Sequence, residues 1–304
     1  MNTAQSKVYR GIFLWIYSFH MPVFLFLSGM FHKNEKIIAK MLGYICIGFC
    51  LKIFYFIENM LLFENASFSL LSDGGIPWYM FVLAMYIVVS YGLRNIDKRF
   101  LFIFSVMLAC FVGYDAAIGD FLYLSRAVVF YPFFLLGEMT NAEALAKAAE
   151  NKRIKGMAFV VLIVWGIACI AHVDQLYFLR ALFTGRSSFN VNEIFSRWGC
   201  IFRIICYMIS VIIGFSVICI MPNRSVPVIT LVGSRTLQVY FWHYFVIAIL
   251  DKVGIDDFFM TFLAGRLIWI LCAVFLVAVL SLRPFAFPMG YIMKSCRSVS
   301  HTRH

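Results

Sequence analysis

Few residues in this chain have both the type and the setting to do chemistry. His20 lies in the apolar run FHMPVFLFLSGMF, with Pro22, Ser28 and Gly29 following it. Arg126 lies in SRAVVFYPFFLLGE, ahead of Tyr131 and Pro132. Arg235, Tyr240 and His243 share GSRTLQVYFWH, and Tyr240 and His243, three residues apart, fall on one helical face. Trp78 and Tyr79 follow SDGGIP. A neutral imidazole serves as a general base, and a guanidinium holds an anion or a developing oxyanion. An aromatic platform stacks on a sugar. Each residue also has a plainer reading. His20 suits an ordinary kinked helix, Arg126 and Arg235 suit snorkelling or lipid phosphate, Trp78 suits an interfacial belt, and His243 suits a structural role. Arg203 and Arg266 read as packing or snorkelling residues.

Nearly every one of these residues lies in a long apolar segment. The chain has 304 residues, of which 63% are hydrophobic and 13% charged, and a mean hydropathy of +0.89. Soluble domains carry about 25% charged residues. The solvent for this surface is therefore lipid, and the expected fold is an all-α, polytopic transmembrane bundle forming one domain over 1–304. Nine apolar segments are read at 11–31, 38–57, 76–92, 100–114, 121–138, 156–172, 200–221, 227–250 and 262–282. Only helices satisfy the backbone in hydrocarbon without a closed barrel. Polar groups within such spans are costly and point to function. Pro22 and Pro132 each remove a helical donor, so breaks are expected there, of the kind that line cavities.

The basic residues orient the segments. Lys33, Lys36 and Lys40, then Arg94, Lys98 and Arg99, then Lys147, Lys152, Arg153 and Lys155 fall on one side, with Arg224 and the tail residues Lys294, Arg297 and Arg303. The intervening segments 58–75 and 115–120 hold no Lys or Arg, but do hold Glu58, Glu64, Asp73, Asp115 and Asp120. By the positive-inside rule the N-terminus lies outside and the C-terminus inside. The expected location is the cytoplasmic membrane, as a multi-pass protein. Segment 173–199, with Asp174, Arg180, Arg186, Glu193 and Arg197, is long enough to cover a site at the outer face. Lys7 and Arg10 sit on the side where basic residues are not expected.

The net charge of +11 is that of cytoplasmic loops; no basic run interleaved with aromatics argues for nucleic acid. Of the nine cysteines, seven lie in apolar runs, where they act as small hydrophobes, and no paired C-x-x-C suggests a metal. No GxSxG, HExxH, P-loop or dinucleotide fingerprint stands in a supporting context.

Four segments in order, FHMPVFLFLSGMF (19–31), IPWYMFVLAMY (76–86), SRAVVFYPFFLLGE (125–138) and VGSRTLQVYFWHYF (232–245), resemble the acyltransferase 3 family of membrane acyltransferases, nearest its fucose O-acetylase-like branch. The matching positions are His20, Pro22, Ser28, Gly29, Trp78, Pro132, Gly137, Gly233, Tyr240 and His243. Met30, and the pair Arg235-Thr236, depart from the family pattern. The resemblance implies transfer of an acetyl or other acyl group from acyl-CoA, as donor substrate and not bound cofactor, to a hydroxyl of a cell-surface glycan or a lipid-linked precursor. It implies His20 in catalysis and Ser28, Trp78, Arg126, Tyr131, Tyr240 and His243 around the substrates, with no metal. The family opens with a further helix bearing its catalytic His about ten residues after an Arg or Lys. Residues 1–10 start after that point, so ten spans and an upstream apolar stretch are expected of the complete enzyme. A truncated, non-catalytic homologue and a small-solute transporter remain alternative readings.

Overall fold

The computed structural model describes residues 7–63, 68–72, 75–119, 121–222, 224–260 and 263–299. Glu64, Asp73, Asp120 and Arg303 lie outside the described residues, as do the side chains of Arg266 and Arg297. Among the described residues the fold is all helical. In order the helices are α1 (Lys7–Tyr17), α2 (His20–Met30), α3 (Ile37–Phe63), α4 (Trp78–Gly92), α5 (Lys98–Val112), α6 (Leu124–Met139), α7 (Ala142–Glu150) and α8 (Lys152–Ala171). There follow α9 (Val173–Leu176), α10 (Arg180–Phe183), α11 (Glu193–Ile220), α12 (Pro227–Ser234), α13 (Thr236–Val253), α14 (Ile255–Met260), α15 (Leu263–Leu280) and α16 (Met289–Val299). Five helical stretches are long and apolar enough to cross a membrane: 7–30, 37–62, 121–139, 152–171 and 193–220. Trp78–Gly92 and Ile268–Leu280 are shorter apolar helices.

Side-chain caps set several of the starts. Asp97, Asn141, Asn151 and Asn192 each accept a backbone N–H of the first turn of α5, α7, α8 and α11. Such caps supply an acceptor for donors that have no partner inside the helix.

Two elements differ from the sequence reading in instructive ways. The first apolar segment is two helices, and the break falls at Ser18–Phe19, one turn before Pro22. Proline lacks the N–H that would bond the carbonyl four residues back, here that of Ser18. Ser210 Oγ on α11 donates to that carbonyl instead, at 2.5 Å. Pro132, by contrast, lies inside α6, which runs unbroken. Pro132 takes the helical donor from Val128 O; Tyr86 Oη donates to the adjoining Ala127 O at 2.7 Å and Tyr207 Oη to Val129 O at 2.5 Å, so hydroxyls of neighbouring helices meet the carbonyls on either side of it. The expected break at Pro132 is therefore absent. A further break, not anticipated, separates α12 from α13 at Arg235.

The helix α3 also runs beyond the expected end at 57, which places Glu58 within it and buried. Both Glu58 carboxylate oxygens are without a hydrogen-bond partner among the described residues.

The tightest packing joins α2 to α6. A Cβ on Gly29 would collide with Phe134 O, and one on Gly137 with Phe26 O. Both glycines lie at contact points where backbone meets backbone, the close approach that small residues permit between apolar helices. Around this seam Leu25, Trp78, Val82, Phe130, Phe134 and Phe241 form the main core. A second core, with Leu14, Phe183, Phe189, Phe195 and Cys206, fills the end near residues 173–195.

Candidate functional site

A cavity of about 990 Å³ opens beside the α2–α6 seam, bounded by residues of α1, α2, α3, α4, α6 and α13 and by the segment after α10. The helix α2 contributes His20, Phe24 and Ser28, which are spaced by four and so share one face. Trp78 and Tyr79 enter from the first turn of α4, Arg126 from α6, and Tyr240 and His243 from α13. Residues from four separate sequence segments thus meet in one concavity.

The entry to α6 explains how Arg126 reaches it. Leu122 and Tyr123 take left-handed backbone angles, φ 50° and 57°. Such angles are uncommon for non-glycine residues and persist only where packing holds them. Leu122 N donates to Leu71 O at 2.8 Å, and the buried Tyr123 ring lies beneath the Lys52 ammonium at 5.4 Å. Ser125 Oγ donates to Gly185 O at 2.8 Å, tying the start of α6 to the covering segment.

Arg126 is only 5% exposed, and its guanidinium lies over the Trp78 ring at 5.0 Å. The opposite neighbour of Trp78 is Phe130, stacked at 5.6 Å. Arg126 therefore does not snorkel, and Trp78 is part of the wall and not of an exposed belt. Ser28 Oγ is 3.1 Å from Tyr79 Oη and also donates to Phe24 O at 2.8 Å. Tyr240 Oη donates to Ile76 O, which anchors the loop ahead of α4.

The two imidazoles are held differently. His243 Nδ1 lies 3.0 Å from Val239 O and 2.9 Å from Tyr240 O. A carbonyl only accepts, so this contact assigns the proton to Nδ1 and leaves Nε2 with the lone pair. His20 Nδ1 is buried without a hydrogen-bond partner among the described residues, and its ring meets Phe24 edge-on at 5.2 Å.

Tyr131 stands apart. It does not line the cavity, but stacks on Phe134 at 6.4 Å and against Tyr86 at 5.1 Å in the α4–α6 contact. On a helix, residue 130 shares the face of Arg126, whereas residue 131 is turned about 100° further round. Arg235 lies outside the cavity too. Its Nη1 donates to Ser281 O at 2.6 Å, and Gln238 Nε2 donates to Leu280 O and Leu282 O, so both serve the carbonyl end of α15. Arg203 is fully buried and donates to Leu182 O at 2.8 Å, a packing position with no route to snorkel.

Sequence reasoning left several wall residues unnamed. Tyr17, Tyr44 and Tyr244 line the cavity, as do Thr184 and Ser187 of the covering segment, beside Tyr79, Arg180 and Arg186, which the sequence did mark. The length and mixed charge of 173–199 were the available signal for the covering segment. For the tyrosines there was none, because a tyrosine in an apolar run is equally suited to any helix contact. Among the described residues lining the cavity there are three arginines and no carboxylate.

The covering segment is fixed at several points. Lys7 Nζ meets Asp174 Oδ2 at 2.6 Å, Arg10 Nη1 meets Asp174 Oδ1 at 3.5 Å, and the Arg10 guanidinium lies over Tyr177 at 4.3 Å. The two basic residues that looked misplaced in the charge pattern are therefore partners of the cover. The Lys7 hydrogen bond, with the nearby charges of Lys7 and Arg10, holds the Asp174 carboxyl below the usual carboxylate range. Among the described residues no three His, Cys, Asp or Glu side chains gather as a metal ligand set. No family model, no curated protein and no solved structure matches the chain.

Proposed function

We propose that this chain is an integral membrane O-acyltransferase of the acyltransferase 3 type, with nine spans, an external N-terminus and a cytoplasmic C-terminus in the cytoplasmic membrane. It moves an acetyl or related acyl group from acyl-CoA to a hydroxyl of a surface glycan or its lipid-linked precursor. The observation that carries this reading is the meeting of His20, Ser28, Trp78, Arg126, Tyr240 and His243 around one cavity of suitable size.

In this scheme the acceptor hydroxyl oxygen attacks the thioester carbonyl carbon while His243 Nε2 takes its proton. The resulting oxyanion is met by a buried donor, a role for which Arg126 is the candidate. The carbonyl re-forms, the carbon–sulfur bond breaks, and the CoA thiolate leaves with the proton returned by the imidazolium. General-base assistance of this kind contributes about 10²–10⁴-fold. Trp78 and the cavity tyrosines offer aromatic faces to a sugar, and His20 and Ser28 line the acceptor or thioester pocket. Arg180 and Arg186 suit phosphate groups on either substrate.

The test is the O-acetyl content of surface polysaccharide in a deletion strain complemented with the 304-residue chain, its His243→Ala and His20→Ala variants, and a form extended by any in-frame upstream sequence. His243→Ala should lower acetylation by roughly two orders of magnitude or more. Unchanged acetylation in both His variants overturns the assignment of the base within this chain. Restoration by the extended form alone moves the base to the preceding helix. A transporter is the second reading, favoured by the two helix breaks near the cavity, at Ser18–Phe19 and at Arg235. Solute flux in proteoliposomes without acyl transfer would select it.

A further inference from the structure

At the end of the bundle beneath the covering segment, α5 and α11 come together through two cysteines. Cys110 lies in the last turn of α5 and Cys200 in the second turn of α11. Cys200 Sγ is 3.6 Å from Cys110 O, and Cys110 Sγ is 3.9 Å from Cys200 O. The reciprocity matters. Each sulfur reaches the other residue's backbone, so the two side chains point at one another and the helix backbones are a side-chain length apart. A disulfide needs Cα atoms within about 4.4–6.8 Å and Cβ atoms facing each other; the reciprocal sulfur-to-carbonyl approach brings the two side chains together, with both thiols free in this structure. Beside the pair, Phe189 occupies the space left by Gly113 and Gly199, and its N–H donates to Gly113 O at 2.6 Å.

Cys46 and Cys296 are another interacting pair, at the end that the charge pattern assigns to the inner, reducing side. Cys169, Cys206 and Cys219 are buried free thiols along the helices. Cys110 and Cys200 instead sit next to Tyr114 and Asp115 and below the cover, at the end the charge pattern assigns to the outer, oxidising side. Cys200 is half-exposed and Cys110 only 6% exposed.

We propose that Cys110 and Cys200 form a reversible disulfide that locks α5 to α11 under the cover of the cavity. The redox partner is an exported protein disulfide oxidant. The more accessible Cys200 thiolate attacks a sulfur of the oxidant's disulfide, giving a mixed disulfide and releasing one oxidant thiolate. The Cys110 thiolate then attacks Cys200 Sγ, forming the internal bond and releasing the second. The protein loses two protons and two electrons, and the oxidant leaves as a dithiol. The bond closes a loop that contains α6, α8 and the whole covering segment, so it joins the part of the chain carrying Arg126 to the part carrying Arg180 and Arg186.

The proposal rests on the outer placement of this end, and the experiment separates the two claims. Membranes are dissolved in denaturing detergent under acid quench, and free thiols are counted by the mass added by a polyethylene-glycol maleimide, with and without prior reduction. The wild-type chain should show seven reactive thiols before reduction and nine after, against a total of nine. The Cys110→Ser and Cys200→Ser chains should show eight in both conditions. A reporter fused after Ala117 gives the side of the membrane independently. Nine free thiols in the wild type, with the reporter outside and none lost on treatment with copper phenanthroline, overturns the disulfide while leaving the topology intact. A reporter inside, with nine free thiols, instead overturns the topology on which the disulfide depends.

Discussion

The two sides of the cavity are built by opposite means. Its inner wall is the α2–α6 seam, where Gly29 and Gly137 bring backbone against backbone. Its cover, residues 173–192, is made of short helical turns whose Leu179, Leu182, Phe183 and Phe189 pack into the second core. Side chains reaching backbone atoms hold that cover: Arg203 to Leu182 O, Ser125 to Gly185 O, and Phe189 wedged at Gly113 and Gly199. An exposed ion pair at Asp174 completes it. The difference teaches where rigidity and mobility belong. A glycine seam has no rotamers to change, whereas a cover held by a few side-chain contacts can open locally at a cost far below global unfolding.

The largest effect is expected at the seam. Gly29→Val or Gly137→Val places a side chain where a carbonyl oxygen of the partner helix already lies. Overpacking elsewhere costs about 1–3 kcal/mol because side chains yield. Here a backbone would have to move, so folded protein should not accumulate, as read by the monodisperse fraction in detergent. A stable Gly137→Val protein would show that the seam is not the rigid wall of the comparison.

Next is Phe189→Ala in the cover. Removing a fully buried aromatic ring costs about 3–5 kcal/mol, here spent locally. The bundle should remain folded, while limited proteolysis should cut between residues 184 and 192. Cleavage in the seam helices instead would mean that cover and wall unfold as one unit.

A smaller and more specific effect concerns the break in the first apolar segment. Ser210→Ala leaves Ser18 O without its donor, at about 1–3 kcal/mol. Pro22→Ala restores an N–H four residues on, so the double variant should recover part of that loss in a double-mutant cycle. Additive losses would show that Ser210 does not answer Pro22.

The smallest effect is at Asp174. Its carboxyl is held below the usual range, so the ion pair supports the cover above that range and is lost as pH falls through the depressed value. Asp174→Asn should leave thermal stability unchanged and raise proteolysis of the cover modestly, at low salt and neutral pH only. An equal difference in about 1 M salt, where exposed charges are screened, would refute the charge origin of the contact.

Composition and charge order were enough to indicate an all-helical chain with apolar helices of membrane length, because hydrocarbon leaves the backbone no other open-ended choice. Motif positions also marked His20, Ser28, Trp78, Arg126, Tyr240 and His243 as a group, since a polar residue in an apolar run must find company. Local sequence did not decide which breaks occur. The chain breaks one turn before Pro22 and runs on through Pro132, and the hydroxyls that meet the carbonyls near each, from Ser210, Tyr86 and Tyr207, are all distant in sequence. Nor could it separate Tyr131, in the α4–α6 contact, from Tyr79, on the cavity wall, since both are tyrosines in apolar helices and only the rotation of each helix distinguishes them. Lys7 and Arg10 were anomalies of the charge pattern until the fold brought Asp174 to them across 167 residues. Residue type sets what a side chain must have around it. Only the packing of one helix on another decides which residue supplies it.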